Sequence, residues 1–226
     1  MGKYLEIRVH EGDRKGWFGK LTYEALVQYL WKSGAPGVTV FRGNEGLDEA
    51  GHFQNVYNEY ASDKLPITLQ VYGDEAEIDH MMEGLEAHIP HNGQVFVTEN
   101  VYSAKQLEGD SIMGDGTVLK VYMKEEDQYD KKPLYHALVL AFKKLDVLWV
   151  SVQSAIEGFG ADHVMRKSTV FEFAAHAPVL VEAALEADKV DAVLQHIKPL
   201  LACASGPAII LRGEVVSIEP GDHKKD

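Results

Sequence analysis

Cysteine is almost absent from this sequence, with Cys203 alone among 226 residues. A single cysteine excludes an internal disulfide framework and a zinc site built from several thiolates. We therefore expect a protein of a reducing compartment, and place it in the cytoplasm. Cys203 follows the apolar run LLA at 200–202, so we expect a packed thiol rather than a reactive one.

Positive charge is also scarce, because 22 Lys and Arg face 35 Asp and Glu and leave a formal net charge of −13. A surface that follows nucleic-acid phosphates needs the opposite sign, so we expect no nucleic-acid partner. Uninterrupted apolar runs of roughly 18 residues are missing too, and we expect no membrane span. What remains is a globular composition, 46% apolar and 25% charged, which supports a packed core.

The signatures of several enzyme classes are missing. The sequence has no phosphate loop of the form GxxxxGK[ST], no recognisable nucleophile with its base and no paired-carboxylate motif. We therefore predict that the protein is not an enzyme and needs no cofactor.

Histidine, by contrast, is plentiful, with ten residues. His88 and His91 lie three positions apart near a predicted helix end, and His80 precedes them by two turns. The arrangement does not return in the second half of the chain, so we predict surface or capping roles and no metal site. A divalent-metal site at these histidines is kept as an alternative.

The chain repeats itself. The string YEALV at 23–27 returns 112 positions later as YHALV at 135–139, and further matches keep that offset. Between the two copies, 103–117 is polar with three glycines, which is the composition of an exposed linker. The sequence predicts a tandem duplication, with a first domain at 1–102 (repeat one) and a second at 118–226 (repeat two).

Each repeat shows the same order of periodicities. Alternating apolar residues predict strands, and apolar residues at i, i+3, i+4 and i+7 predict two helices. Asp74 and Glu77 have the spacing of a capping box at the start of the second helix. The order βαββαβ, found twice, is that of an α+β ferredoxin-like domain, in which both helices cover one face of an antiparallel sheet.

The other face of such a sheet needs a cover. Alternation assigns apolar side chains to it at Tyr72, Phe96, Tyr122 and Leu180. A second copy of the domain is a natural cover, so we expect the copies to pair and the chain to form a homo-oligomer.

Several strings in the two halves carry a family resemblance. They are VLKVY at 118–122, DKKPLYHALV at 130–139, IEGFG at 156–160, APVLVE at 177–182, LPITLQV at 65–71 and NGQVFV at 92–97. Together they resemble a bacterial family called domain of unknown function 190, which belongs with the PII-like signalling proteins. The resemblance implies a ferredoxin-like fold, a trimer, and sensing of a small molecule in clefts between domains or subunits.

Two long loops are the strongest site signal, at 43–64 and 155–176, since irregular connections beyond about 12–15 residues are usually functional. The resemblance implies that each loop is a mobile arm that reports ligand state to a protein target, with its base against the ligand. Gly158, Phe159 and Gly160 resemble that base, where glycines let backbone amides approach phosphate or carboxylate oxygens. The counterpart in repeat one is Gly46, Leu47 and Asp48, where Asp48 replaces the second glycine, and Gly43 at the start of that loop is a further candidate. Glycines that merely turn the chain are the alternative.

The resemblance also points to the turn before the last strand of each repeat. Gly93 and Gln94 lie there in repeat one and Gly206 in repeat two. Gln94 stands where PII proteins place a lysine, so a neutral or singly charged ligand is expected, for example an adenine nucleotide held by stacking and backbone contacts. Arg42 is the expected anion partner, because a guanidinium grips two oxygens at once, unless it is only an exposed strand end.

These observations favour a PII-like regulatory protein that binds a small-molecule effector. Two alternatives share the fold. One is the divalent-metal protein, and the other is an oligomeric scaffold whose loops bind another protein without any ligand.

Overall fold

The computed structural model describes residues 2–14, 19–47, 53–55, 64–105, 116–147, 149–167 and 178–213. The elements of repeat one are β1 (Gly2–His10), α1 (Thr22–Lys32), β2 (Val38–Arg42), β3 (Glu45–Leu47), β4 (Phe53–Asn55), β5 (Pro66–Asp74), α2 (Glu75–Leu85) and β6 (Gln94–Ser103). Those of repeat two are β7 (Gly116–Lys124), β8 (Gln128–Tyr129), β9 (Lys132–Pro133), α3 (Leu134–Lys144), β10 (Trp149–Ser154), β11 (Glu157–Phe159), β12 (Arg166–Lys167), β13 (Pro178–Glu186), α4 (Val190–Leu201) and β14 (Ala208–Gly213).

The chain is an α+β tandem duplication of a ferredoxin-like domain, as predicted. The four main strands lie in the order β6-β1-β5-β2 in repeat one and β14-β7-β13-β10 in repeat two. All of these neighbours are antiparallel. The proposed linker at 103–117 lies largely outside the described residues, and the division at 1–102 and 118–226 stays a prediction.

The helices form where the apolar periodicity places them, and each repeat has its own core beneath its helices. Helix α1 buries Leu26, Val27 and Leu30, and the corresponding face of α3 buries Leu138 and Phe142. These side chains pack on every second residue of the strands, on the face of the sheet that the helices cover. The predicted capping box at α2 is confirmed. The carboxylate of Asp74 accepts from the Glu77 amide, and that of Glu77 accepts from the Asp74 amide, both at 2.8 Å.

The faces of the sheets away from the helices cover one another. A third buried cluster contains Tyr4 and Phe41 of repeat one with Tyr122 and Leu180 of repeat two, and Tyr72 packs against it. Strands β6 and β14 pair, so the two sheets are continuous there and curl together. The need for a cover, which suggested oligomers, is therefore met inside the chain.

Phe96 departs from that prediction. It lies on the same face of the sheet, but its side chain is exposed and the guanidinium of Arg8 stacks on it, 4.7 Å from the ring centroid. The pairing of β6 with β14 begins only at Tyr102 and Ser103, well past Phe96 along the strand. The opposing sheet therefore leaves this end of β6 to solvent.

The loop of repeat two differs from the expected free arm over its described part. After β10 the chain crosses to repeat one, where β11 pairs with β2 and β12 pairs with β11. Phe159 is buried in the core of repeat one, and Ile156 and Met165 pack against that core. The part of the loop from 156 to 167 is thus built into the other repeat, and 168–177 lies outside the described residues.

The loop of repeat one is less fully described. Its β3 and β4 pair as a separate two-stranded sheet. The predicted Asp48 lies outside the described residues, as does the end of the last predicted strand beyond Gly213.

Two further expectations concern the surface. Cys203 was expected to be packed, but it is exposed at the end of α4, where its thiol lies 3.5 Å from the carbonyl oxygen of Pro199. Among the described helices, none combines the length and apolar composition needed to cross a membrane.

Candidate functional site

A cavity of about 530 Å³ opens between the two repeats. Repeat one contributes strand β2 with the turn before it, the end of β5 and the start of α2. Repeat two contributes the end of β7, the segment 158–162 with Arg166, and the turn 205–207. Its size falls in the range of about 300–1,000 Å³ that is usual for small-molecule sites.

The cavity collects four of the residues predicted from sequence, namely Gly158, Phe159, Gly160 and Gly206. These residues come from two parts of repeat two that are distant in sequence. The fold therefore brings together the predicted loop base and the predicted turn before the last strand.

The other five predicted residues, all described, lie away from this cavity. Arg42 donates to Glu11 at 2.8 Å, so its guanidinium is held in an ion pair within repeat one. The amide of Gly43 donates to the Pro66 carbonyl, and Gly46 also lies against Pro66. Gly93 closes a turn onto Pro90, and Gln94 pairs with Arg8 in the sheet. All five lie in repeat one, near the end of β2, the start of β5 and the start of β6.

The cavity glycines serve two different purposes. A Cβ on Gly158 would lie 2.5 Å from the Val38 carbonyl oxygen, and one on Gly206 would lie 2.6 Å from the Tyr122 carbonyl oxygen. These two glycines allow backbones to pack closely. A Cβ on Gly160, by contrast, would meet only an Asp162 oxygen, at 3.8 Å. Gly160 is therefore the glycine that leaves open space in the cavity.

On its charged side the cavity holds two cations and one carboxylate from repeat two, and the carboxylates of Asp74 and Glu77 from repeat one also line it. Arg166 grips Asp162 with both terminal nitrogens, at 3.1 and 2.6 Å, and Lys124 Nζ lies 3.1 Å from Asp162 Oδ2. The Val164 amide donates to the same carboxylate at 3.2 Å. These donors hold the pKa of Asp162 well below its usual range, and the Arg166 guanidinium has the largest effect.

Sequence reasoning missed this cluster. Lys124 ends a predicted strand and Arg166 lies in a predicted loop, which is unremarkable for a surface lysine and arginine. A signal was available only in part, since alternation along β7 places Lys124 on the same face as Tyr122.

The cavity floor continues into a polar network between the sheets. Tyr122 donates to Gln70 Oε1 at 2.8 Å, and Gln70 donates to Glu6 at 3.3 Å. Tyr4 donates to the same Glu6 carboxylate at 3.0 Å. Burial raises the pKa of both tyrosines, so their hydroxyls stay protonated as donors at neutral pH.

The histidines of the metal alternative do not cluster in the described structure. His88 stacks on Tyr29 with ring centroids 4.3 Å apart, and its Nδ1 lies 3.1 Å from the Gly84 carbonyl oxygen. His80 lies beside Glu83 on the exposed side of α2. Among the described residues, no three His, Cys, Asp or Glu side chains are placed to hold a metal ion together.

Comparison with known proteins gives relatives that match part of the chain. A UPF0166 protein of Aquifex aeolicus is 30% identical over 81 residues, which are 36% of this chain and 77% of that protein. A UPF0166 protein of Methanocaldococcus jannaschii is 28% identical over 108 residues, 47% of this chain and 96% of that protein.

Among solved structures, CPII of Thiomonas intermedia K12, a nitrogen regulatory PII-like protein bound to ADP, AMP and bicarbonate, is similar at 23% identity and a TM-score of 0.32. The overlap covers 43% of this chain and 83% of CPII. The model of the family DUF190, described as "Uncharacterized ACR", matches residues 2–102 and again 116–212. The chain therefore belongs to the DUF190 family, with two copies of the family domain in tandem.

Proposed function

We propose that this protein is a non-enzymatic regulator that binds a small molecule, an adenine nucleotide, in the cavity between its two repeats. The observation that carries the proposal is the lining of the cavity. Residues from both repeats meet there, and they include the loop base and the turn that the sequence singled out. A ligand in this position touches both domains at once, which is what a regulator needs in order to change their relation.

The cavity suits a ligand with a planar apolar part and an anionic part. Tyr72 offers aromatic surface, and Pro36 and Pro178 offer further apolar surface. The charged side offers Lys124 and Arg166. An adenine ring with one phosphate matches this division of apolar and cationic surface.

Signalling would pass through the segment 156–167, which is docked on repeat one. Gly160 and Asp162 line the cavity, and Lys167, a few residues further on, holds Glu24 of α1 at 3.0 Å. A ligand that shifts this segment changes the start of the long loop at 155–176, and so changes the surface offered to a protein target. The loop at 43–64 is a second candidate arm.

The same proposal includes an assembly and a location. We expect a homo-oligomer, a trimer as the family resemblance implies, in the cytoplasm.

Calorimetric titration with adenosine, AMP, ADP and ATP tests the proposal. The informative variant is Gly160→Phe, which places a side chain in the open part of the cavity, and the control is Gly213→Phe, where a Cβ meets nothing within 4 Å. We expect an adenine compound to bind the natural protein and the control equally, and Gly160→Phe to weaken binding by about tenfold or more, which is about 1.4 kcal/mol.

Two results would overturn the proposal. One is that no adenine compound binds. The other is that Gly160→Phe and Gly213→Phe bind with the affinity of the natural protein, which would place the ligand elsewhere.

A further inference from the structure

The two cations of the cavity are already occupied by an anion that belongs to the protein. Asp162 receives both terminal nitrogens of Arg166 and the ammonium of Lys124, and its contacts are those that a bound carboxylate would make. Two positive charges around one negative charge leave the cluster with a net charge of +1. If Asp162 leaves, Lys124 and Arg166 can donate the same hydrogen bonds to another anion. Asp74 and Glu77 add two negative charges to the lining, but they belong to repeat one.

The cations and the carboxylate differ in how firmly they are held. Lys124 lies at the end of β7, where its amide is 3.1 Å from an Asp127 oxygen and 3.2 Å from Ser205 Oγ. Arg166 begins β12, and its side chain is only 15% exposed. Asp162 lies in the turn between β11 and β12, and its side chain is 37% exposed. A rotation of the Asp162 side chain into solvent would release both cations without moving the strands.

The two other carboxylates that line this cavity accept hydrogen bonds from backbone amides instead of from Lys124 or Arg166. Asp74 and Glu77 accept each other's backbone amides in the capping box of α2. Asp162 is therefore the lining carboxylate that competes directly for Lys124 and Arg166.

We propose that Asp162 is an internal competitor for an anion subsite, and that the anionic group of a ligand, a phosphate or a carboxylate, binds Lys124 and Arg166 by displacing it. This inference rests on the proposed function, because it assigns the charged end of the ligand in the same cavity. The exchange also gives the ligand a direct effect on the loop, since Asp162 lies between β11 and β12 and leaves its two partners when the anion enters.

The test measures affinity by calorimetry for adenosine, AMP and adenosine 5′-carboxylate. Asp162→Asn keeps the size of the side chain and removes the competing charge. Asp79→Asn is the matched control, since Asp79 also accepts from a lysine, Lys3 at 2.7 Å, but lies outside the cavity. Asp162→Ala is a second variant in case the first one folds poorly, and circular dichroism checks the fold of each.

We expect Asp162→Asn to bind AMP about tenfold more tightly than the natural protein, with adenosine affinity unchanged and Asp79→Asn without effect. Adding Lys124→Met should remove the gain. A gain for AMP alone identifies a phosphate subsite, and a gain for both charged probes identifies a general anion subsite.

The inference is overturned if AMP affinity stays the same or falls in Asp162→Asn while adenosine still binds, because Asp162 would then only position Arg166. If neither adenosine nor AMP binds the natural protein or any variant, the proposed function itself fails. The two failures are therefore distinguishable.

Discussion

Ala155 and Ile156 are neighbours in the chain but are hydrogen-bonded to different repeats. The amide of Ala155 donates to the Pro178 carbonyl of repeat two, and the amide of Ile156 donates to the Val40 carbonyl of repeat one, both at 2.8 Å. The chain changes sheets between these two residues. Everything from Glu157 to Lys167 that the structure describes as strand then extends the sheet of repeat one. The repeats are thus joined by shared structure as well as by the linker.

The first prediction is that repeat one depends on Phe159, a residue of repeat two. Phe159 is 4% exposed in the core of repeat one, and its ring centroid lies 5.5 Å from that of Trp31 on α1. Phe159→Ala should therefore lower the free energy of unfolding by about 3–5 kcal/mol, as large-to-small core substitutions do. Denaturant titration followed by circular dichroism measures it.

Val164→Ala is the control for that experiment, because Val164 lies in the same segment and is 52% exposed. It should change stability by less than about 0.5 kcal/mol. Equal effects from the two substitutions would contradict the docking of this segment on repeat one.

The second prediction separates the two glycines of the predicted loop base. Gly158→Ala puts a Cβ 2.5 Å from the Val38 carbonyl oxygen, across the β2–β11 pairing, and should destabilise the protein by about 1–3 kcal/mol. Gly160→Ala places its Cβ in open space and should leave stability nearly unchanged. Hydrogen exchange of the β2 amides should rise in the first variant only. If the β2 amides are equally protected from exchange in both variants, the pairing of β11 with β2 does not depend on the close contact between Gly158 and the Val38 carbonyl oxygen.

Local patterns in the sequence were enough to predict much of this fold. The spacing of Leu26, Val27 and Leu30 fixes the buried face of α1, and Asp74 with Glu77 marks the start of α2. Such signals depend on residues a few positions apart. The internal repeat then allowed the same elements to be predicted in both halves.

The cavity depends on contacts that local patterns do not record. β11 pairs with β2, more than a hundred residues earlier in the chain. Lys124 and Arg166 each contact Asp162, which lies in the turn that follows β11. Arg42 had the right chemistry for an anion partner, but the neighbouring Glu11 neutralises it. Residue type and position in a loop could not distinguish Arg42 from Arg166, because the distinction lies in which carboxylate and which cavity each one meets.

The third prediction concerns pH. Glu157 is buried beside β2, and burial raises the pKa of its carboxyl, although the ammonium of Lys167, at 3.3 Å, opposes the rise. A raised folded-state pKa favours the protonated form, so this contribution to stability is complete below the ordinary value of 4.5 and is lost as pH rises through the folded-state pKa. Glu157→Gln should therefore reduce the fall in the free energy of unfolding as pH rises from 4.5 through the folded-state pKa of Glu157.

Denaturant titrations of the natural protein and Glu157→Gln across that range measure the difference. Glu45→Gln is the control, since Glu45 is an exposed carboxylate of β3. The unfolding free energy of Glu157→Gln minus that of the natural protein should increase as pH rises. If it stays constant or decreases, the pKa of Glu157 is not raised.

The fourth prediction concerns the charged pair between the two sheets. Lys120 is 8% exposed, its ammonium lies 3.1 Å from Glu182 and 3.2 Å from the Tyr4 hydroxyl, and it stands over the Tyr4 ring. Removing one member leaves the other charged group half-buried without its partner, which costs about 3–5 kcal/mol at buried pairs. Lys120→Met and Glu182→Gln should each be strongly destabilising.

The double variant should lose less stability than the two single losses added together, because neither charge is then left unpaired. The coupling energy from the four unfolding free energies measures this, and Lys189 with Glu186, an exposed pair at 2.7 Å, gives the control cycle. We expect a coupling well above that of this exposed control pair, which water and salt screen. Because Lys120 and Glu182 belong to repeat two and Tyr4 to repeat one, a variant at Tyr4 that lowers this coupling would show that the pair also holds the two sheets together. Additive losses would mean instead that Lys120 and Glu182 are each satisfied by other groups.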